Sequence, residues 1–296
     1  MVFMKRSNKI KKLEKRLNHL ELSLLNIREV LGRIENRQLL AQADKNLSAN
    51  EFRVFSQWGE DGIIQFLINN TKISQKIFIE FGVDNYKESN TRFLLINNNW
   101  TGLVIDSNKN SINQIKDDPI YWRYNLKAVH SFITKDNINN LIKENGIQGE
   151  IGLLSIDIDG NDYWVWQAIE VISPAIVIVE YNFRFGKERS VTIPYDENFD
   201  RAKAHYSMIY YGASLKALYM LAKEKGYIFV GCNSSGCNAF FIRSDLKPDA
   251  VREQTLEEGY VAGQFREARD KEGNLDYLSK NEEEKIISTL HLETVE

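Results

Sequence analysis

Leu153 to Trp166 reads LLSIDIDGNDYWVW, an apolar run that stops abruptly in three carboxylates, a glycine and a cluster of aromatics. A short apolar run bounded by turn residues fits a strand buried in a sheet. Its polar end has an ordinary explanation, because strands of a parallel sheet often end in polar turns and Asp-Gly is a good turn pair. Asp157 and Asp159 are two residues apart, however, so on an extended chain both side chains leave the same face. Like charges that close repel one another unless a cation, a proton or a cationic ligand sits between them.

Working outward, the same kind of run recurs on both sides. KIFIEFGV, GLVID and AVHSFI precede it, AIVIVEY and YIFV follow, and NAFFIR comes last. Helix-like segments separate them near Thr91–Asn97, Ser111–Lys116, Ile138–Glu144, Trp164–Ile172 and Leu215–Lys225. Apolar strands alternating with helices predict an α/β fold whose parallel sheet is covered on both faces. Asn, Ser and Gly and no helix join YIFV to NAFFIR, so this pair reads as a hairpin and the final strand as antiparallel.

Ligands of such sheets bind beyond the carboxyl ends of the strands. The first strand ends in Glu80, Gly82 and Asp84, and the second in Asp106. Glycine after the first strand lets a ligand approach the backbone, and an acid after the second can accept both ribose hydroxyls. The pair suits an adenosine-containing cofactor. The Gly-x-Gly-x-x-Gly of a nicotinamide dinucleotide site is missing from FGVDNYKES, and no Gly-x4-Gly-Lys-Ser/Thr loop occurs.

The 296 residues are 43% hydrophobic and 27% charged, enough for a large core in one domain with additions or in two. A net charge of -3 favours no particular partner. Met1 to Leu40 is basic, which we read as a solvated helix face and not as a nucleic-acid or membrane arm. Cys232 and Cys237 are spaced poorly for zinc and read as two thiols flanking a turn. No secretory signal and no membrane-length apolar run is visible, so a cytoplasmic protein is expected.

Ile10, Leu13, Leu17, Leu20, Leu24, Ile27, Leu31 and Ile34 alternate spacings of three and four without a break. That 3.5-residue repeat predicts a coiled coil and self-association through it, flanked by charges suited to interhelical pairing. The mixture of Leu and Ile leaves the oligomer number open. The expected organisation is a coiled-coil helix over 1–40, a linker over 41–54, a core domain over 55–245 and an acidic helical extension over 246–296.

FSQWGEDGIIQFLI, FIEFGVDNYKESNTRFLL, WTGLVID, LLSIDIDGNDYWVW, IVIVEYN and GYIFVGCNSSGCNAFFIR together resemble the FkbM-like branch of S-adenosylmethionine-dependent methyltransferases. The likeness runs from about Phe55 to Arg243, and FREARD in the tail also fits it. It implies a Rossmann-like, seven-stranded class I methyltransferase sheet with an antiparallel last strand, and methyl transfer to a hydroxyl oxygen. The implied substrate is a sugar, such as a nucleotide-linked precursor of a surface or capsular polysaccharide. By the same resemblance Glu80 and Gly82 wrap the methionine part of S-adenosylmethionine, and Asp106 binds its ribose. Asn90 and Thr91 begin a helix whose backbone donors can hold the carboxylate. Gln57 and Glu60 either close over the cofactor or, with Ser56, cap a helix. Asn85 stands where a further glycine is usual, and Asn tolerates the left-handed conformation.

The fourth and fifth strands of that fold end beside the transferable methyl group. Here they supply Asp157, Asp159, Glu180 and Asn182, hard oxygen ligands suited to Mg²⁺ or Mn²⁺. The set resembles that of metal-dependent oxygen methyltransferases. A sugar hydroxyl is a weak acid, so a Lewis acid and a base both help it attack. Asp159 and His205 are the candidate bases. Asp162 can instead cap the following helix, and Trp164, Trp166, Tyr210 and Tyr211 serve equally as core or as sugar-stacking rings. A nitrogen or small-metabolite acceptor, and a catalytically silent scaffold, are the competing readings.

Overall fold

The structure, a computed structural model, describes residues 2–42, 44–263 and 265–296. It opens with the helix α1, Val2–Gln42. There follow α2 (Glu60–Asn70), β1 (Ile77–Phe81), α3 (Arg92–Asn98), β2 (Thr101–Asp106), α4 (Lys109–Asp117), α5 (Pro119–Arg123) and β3 (Leu126–His130). The chain continues through α6 (Ile138–Glu144), β4 (Gly149–Ile156), α7 (Asp162–Ala168) and β5 (Ile172–Glu180). After β6 (Val191–Thr192), α8 (Arg201–Ala204) and α9 (Leu215–Glu224) come the hairpin β7 (Tyr227–Cys232) and β8 (Asn238–Arg243). Among the described residues the tail holds α10 (Leu256–Gly259), α11 (Lys280–Ile287) and β9 (Glu293–Thr294), so the extension is less helical than expected.

Seven strands form one sheet in the order β3-β2-β1-β4-β5-β8-β7. β1 to β5 pair in parallel, and β8 runs antiparallel to β5 and β7. The alternation of side chains along each strand divides the core between two faces. Ile79, Phe81, Leu154, Ile156, Val177 and Val179 pack with residues of α6, α7 and α9, such as Ile142, Trp166 and Leu218. Phe78, Leu153, Ile176 and Ile178 pack on the other face with residues of α2, α3 and α4, such as Leu67, Leu95 and Ile115. Full burial of each such side chain is worth about 1.5–3 kcal/mol, which is why strands buried on both faces tolerate few polar residues before their ends.

The register decides what those ends present. Phe81 lies level with Ile105 and with Ile156, and Ile156 with Val179. The next residue of each strand therefore falls in one row across four neighbours: Asp106, Gly82, Asp157 and Glu180. Asn238 continues the row, since it pairs with Glu180.

The stretch read as a linker is packed: Leu47 and Val54 are buried, and residues 47–50 make a short 3-10 turn. On α1, Leu25 and Gly32 meet Val54 and Phe93, and the Arg28 guanidinium lies 5.0 Å over the ring of Phe55. The seam from Ile10 to Ile34 stays exposed, each of its residues between 44% and 65%. Among the described residues no helix is long and apolar enough to cross a membrane. Cys232 and Cys237 are free and buried.

Candidate active site

The row at the strand ends forms the floor of a cleft. A cavity of about 300 Å³ runs past Gly82, Asp84, Asp106, Phe132, Asp157 and Asp159. Gly82 has φ +71°, and a Cβ there would collide with the carbonyl oxygen of Asp157, so only glycine lets β1 and β4 leave the sheet side by side. Asp106 accepts from Asp84 N at 2.8 Å and Asn108 N at 2.7 Å. Each carboxylate oxygen keeps a second acceptor site, so Asp106 can both fix its loop and accept ribose hydroxyls. Burial raises its pKa, opposed by those two backbone donors.

The glycine loop differs in detail from its expected form. The left-handed residues are Asp84 (φ +44°) and Tyr86 (φ +61°), not Asn85. Buried Tyr86 is anchored by its hydroxyl on Thr91 Oγ1 at 2.9 Å, which offsets the strain. The backbone donors at the start of α3 are also taken. Glu80 accepts from Asn90 N (2.8 Å), Thr91 N (3.1 Å), Ser89 Oγ (2.8 Å) and the Thr91 hydroxyl. Its carboxylate thus fills the anion position that Asn90 and Thr91 were expected to offer a ligand. Glu80, Asn90 and Gln57 nonetheless line a second cavity, which reaches Gly82 and Asp157. Glu60 does not close over this space. It is fully buried and accepts from Trp58 N, Gly59 N, Asn233 Nδ2 and Asn238 Nδ2, tying α2 to the hairpin. The capping partner of Ser56 is Asp61.

Carboxylate oxygens of Asp157, Asp159 and Glu180 all lie within 4.8 Å of one another. The Asp159 backbone at φ +55° swings the chain out of β4 so that its side chain remains beside Asp157. Burial, then the neighbouring carboxylates, push the pKa of both Asp157 and Glu180 well up. Glu180 Oε2 is buried and has no hydrogen-bond partner. Asp162 serves the same turn structurally: it accepts from Ile158 N at 2.8 Å and Gly160 N at 3.0 Å. It is the first residue of α7, and Asn161 occupies the cap position.

Two expected members are elsewhere. Asn182 is fully buried, donates to the carbonyls of Ile209 and Tyr211 and accepts from Arg184 N, so its amide is spent on backbone. His205 pairs through Nδ1 with Ser207 Oγ at 2.6 Å and lines neither of these two cavities. Burial lowers its pKa. Of the aromatics, Trp166 and Tyr211 are core.

Sequence reasoning missed Arg201 and the tail. Arg201 lies 3.8 Å from the ring centroid of Tyr211 and bridges Asp159 to Glu267. Phe265 stacks on Trp58 at 5.7 Å, and both rings wall a cavity of about 240 Å³ that contains Asp157 and Glu180. The signal for the tail was FREARD, residues 265–270, which stood out as part of the family pattern without any assigned place. Arg201 had no such signal, because one arginine in a polar loop resembles any other.

No family model and no curated protein matches the sequence. Solved structures of similar fold include the N-terminal domain of EvdMO1 with SAH bound, at 8% identity, covering 64% of this chain and 82% of that one (TM-score 0.42). A S-adenosylmethionine-dependent methyltransferase from Clostridium acetobutylicum is 10% identical over 72% of this chain and 97% of its own (TM-score 0.39). TrmK of M. capricolum with S-adenosyl-homocysteine is 13% identical over 66% and 72% (TM-score 0.37). Similarities this loose carry no argument about activity. The strand order and the antiparallel last strand define a Rossmann-like class I methyltransferase fold.

Proposed function

We propose that this chain is an S-adenosylmethionine-dependent methyltransferase acting on a hydroxyl oxygen. The observation that carries the reading is the row Asp106, Gly82, Asp157, Glu180. It sets an adenosine-type site directly beside three converging carboxylates. Asp106 binds the ribose, Gly82 keeps the floor flat, and Gln57 and Glu80 border the methionine end of the cleft. The cofactor supplies an electrophilic methyl group when bound. The acceptor space is the cavity walled by Trp58 and Phe265, where Asp157 and Glu180 face any incoming hydroxyl. Glu180 is the better proton acceptor of the triad, because Asp159 is held by Arg201 while Glu180 Oε2 is unpartnered. A sugar acceptor is favoured by the resemblance to the FkbM-like branch and by the flanking aromatic rings.

The triad also fits a divalent cation. Three hard oxygen donors converge, one of them buried without a partner, as expected of a Mg²⁺ or Mn²⁺ site. Asp157, Asp159 and Glu180 would hold the ion, which would acidify the acceptor hydroxyl. A second reading rests on the same cavity: stacked rings beside carboxylates also suit a cationic nitrogen acceptor.

Calorimetry tests the central claim. S-adenosylmethionine and S-adenosylhomocysteine should bind and NAD should not. Asp106→Ala should weaken binding by roughly 1–3 kcal/mol, the cost of losing buried hydrogen bonds. Absence of heat with either sulfur nucleotide would reject the proposal. Turnover of a sugar panel that is abolished by chelator and restored by Mg²⁺ separates the metal-assisted reading from the nitrogen acceptor.

A further inference from the structure

We infer that α1 binds the same helix of a second copy of this chain, parallel and in register, along the seam from Ile10 to Ile34. The structure gives this helix two apolar faces with different fates. Leu25 and Gly32 dock on the body against Val54 and Phe93. These two positions are seven apart and lie about 130° round the helix from the seam. The seam itself is exposed along its length. At 1.5 Å per residue it extends about 37 Å. A helix that needed only to pack on its own domain would not carry a second stripe pointing the other way. The unbroken 3.5-residue spacing specifies the occupant, because only another helix of the same repeat can stay in contact with it over that distance.

Charge selects the orientation. The row following the seam holds Glu14, Glu21, Arg28 and Glu35, and the row preceding it holds Arg16, Ser23, Val30 and Arg37. In a parallel pair the preceding row of one helix faces the following row of the other, five residues on, so Arg16 meets Glu21 of the second copy in both directions. In an antiparallel pair each row faces itself, setting Glu near Glu and Arg near Arg. Arg28 is the one residue that would relieve this, and it is engaged over Phe55 of its own body.

Light scattering on the full chain at tens of micromolar should give at least twice the mass of one chain. Leu17→Asp with Leu24→Asp should reduce it to one, with S-adenosylmethionine binding unchanged. A wild-type chain of single mass overturns the proposal. Orientation is read from Leu13→Cys under mild oxidation, with Cys232 and Cys237 buried and silent. A parallel pair places the two new thiols side by side and gives a disulfide-linked dimer. An antiparallel pair sets residue 13 opposite residue 31, so linkage only between Leu13→Cys and Leu31→Cys chains overturns the orientation. Glu21→Lys should raise the dissociation constant by roughly three- to tenfold, and adding Arg16→Glu should restore it. Failure of the swap to restore association also rejects the parallel arrangement.

Discussion

Gly82 shows how much one residue can determine. Its left-handed φ and the nearness of the Asp157 carbonyl leave no room for a side chain, so Gly82→Ala must twist the backbone or push β4 away. We expect a loss of roughly 2–4 kcal/mol in urea denaturation, combining dihedral strain and a backbone clash. S-adenosylmethionine affinity should fall with it, because the same shift moves Asp106 and Asp157 apart. Retained stability and affinity would mean that the floor adapts. At this scale the sequence was informative where chemistry follows from position along a strand. Asp157 and Glu180 were legible because each stands at the end of a buried strand. Asp159 lies beyond the end of β4 and stays beside them through its left-handed backbone, not through alternation. Asn182 is spaced in the same way from Glu180 and went elsewhere, because β5 ends at Glu180 and the period of two ends with it. His205 failed for a related reason: a loop has no period from which to infer direction.

Among the elements, the strands were legible and the tail was not. β8 matches its sequence reading residue for residue, and its antiparallel direction followed from the missing helix in the hairpin. A run of apolar residues between turns admits few alternatives. Residues 246–296 lack such a run, and their placement depends on contacts distant in sequence. Tyr181 Oη donates to Val261 O at 2.6 Å, Arg184 pairs with Glu283 at 2.9 Å, and β9 pairs with β6. These contacts hold Phe265 and Glu267 over the strand ends. Glu267→Gln should therefore slow turnover by about tenfold, the worth of one charge-assisted hydrogen bond, while cofactor affinity stays level. A kcat equal to wild type would reduce Glu267 to a surface ion pair.

For the molecule as a whole, buried acids set the pH response. Burial pushes Asp61 from its ordinary 3.8 up to about 6, with opposing backbone donors from Ser56, Val54 and Phe55. Asp162 is likewise pushed up to about 6 by burial. Asp157 and Glu180 shift in the same direction. A folded state that binds protons more tightly than the unfolded chain is most stable below the unfolded pKa and loses that contribution as pH rises. Through Asp61 and Asp162 the protein should lose stability between about pH 4 and 6. On the proposed metal-assisted reading Mg²⁺ would compete with protons for the triad, so any rise in melting temperature on adding it should be larger at pH 7.5 than at pH 5. A cation effect that is flat across that range would place the ion elsewhere.

The bridge from Asp159 through Arg201 to Glu267 also orders events during synthesis. A ribosome that has released residues up to about 245 has already delivered every strand of the main sheet. The nascent domain can then gather most of its core, which Val251 and Leu256 complete, and shape the Asp106 side of the cleft. At that stage Arg201 has only one of its two carboxylate partners, and the aromatic wall over Glu180 is half built. The acceptor side matures only when Phe265 and Glu267 emerge and the last strand zips onto β6. On the proposed function, a message truncated between those points, or a protease cutting there, would therefore yield a product that can bind the methyl donor and cannot transfer its methyl group.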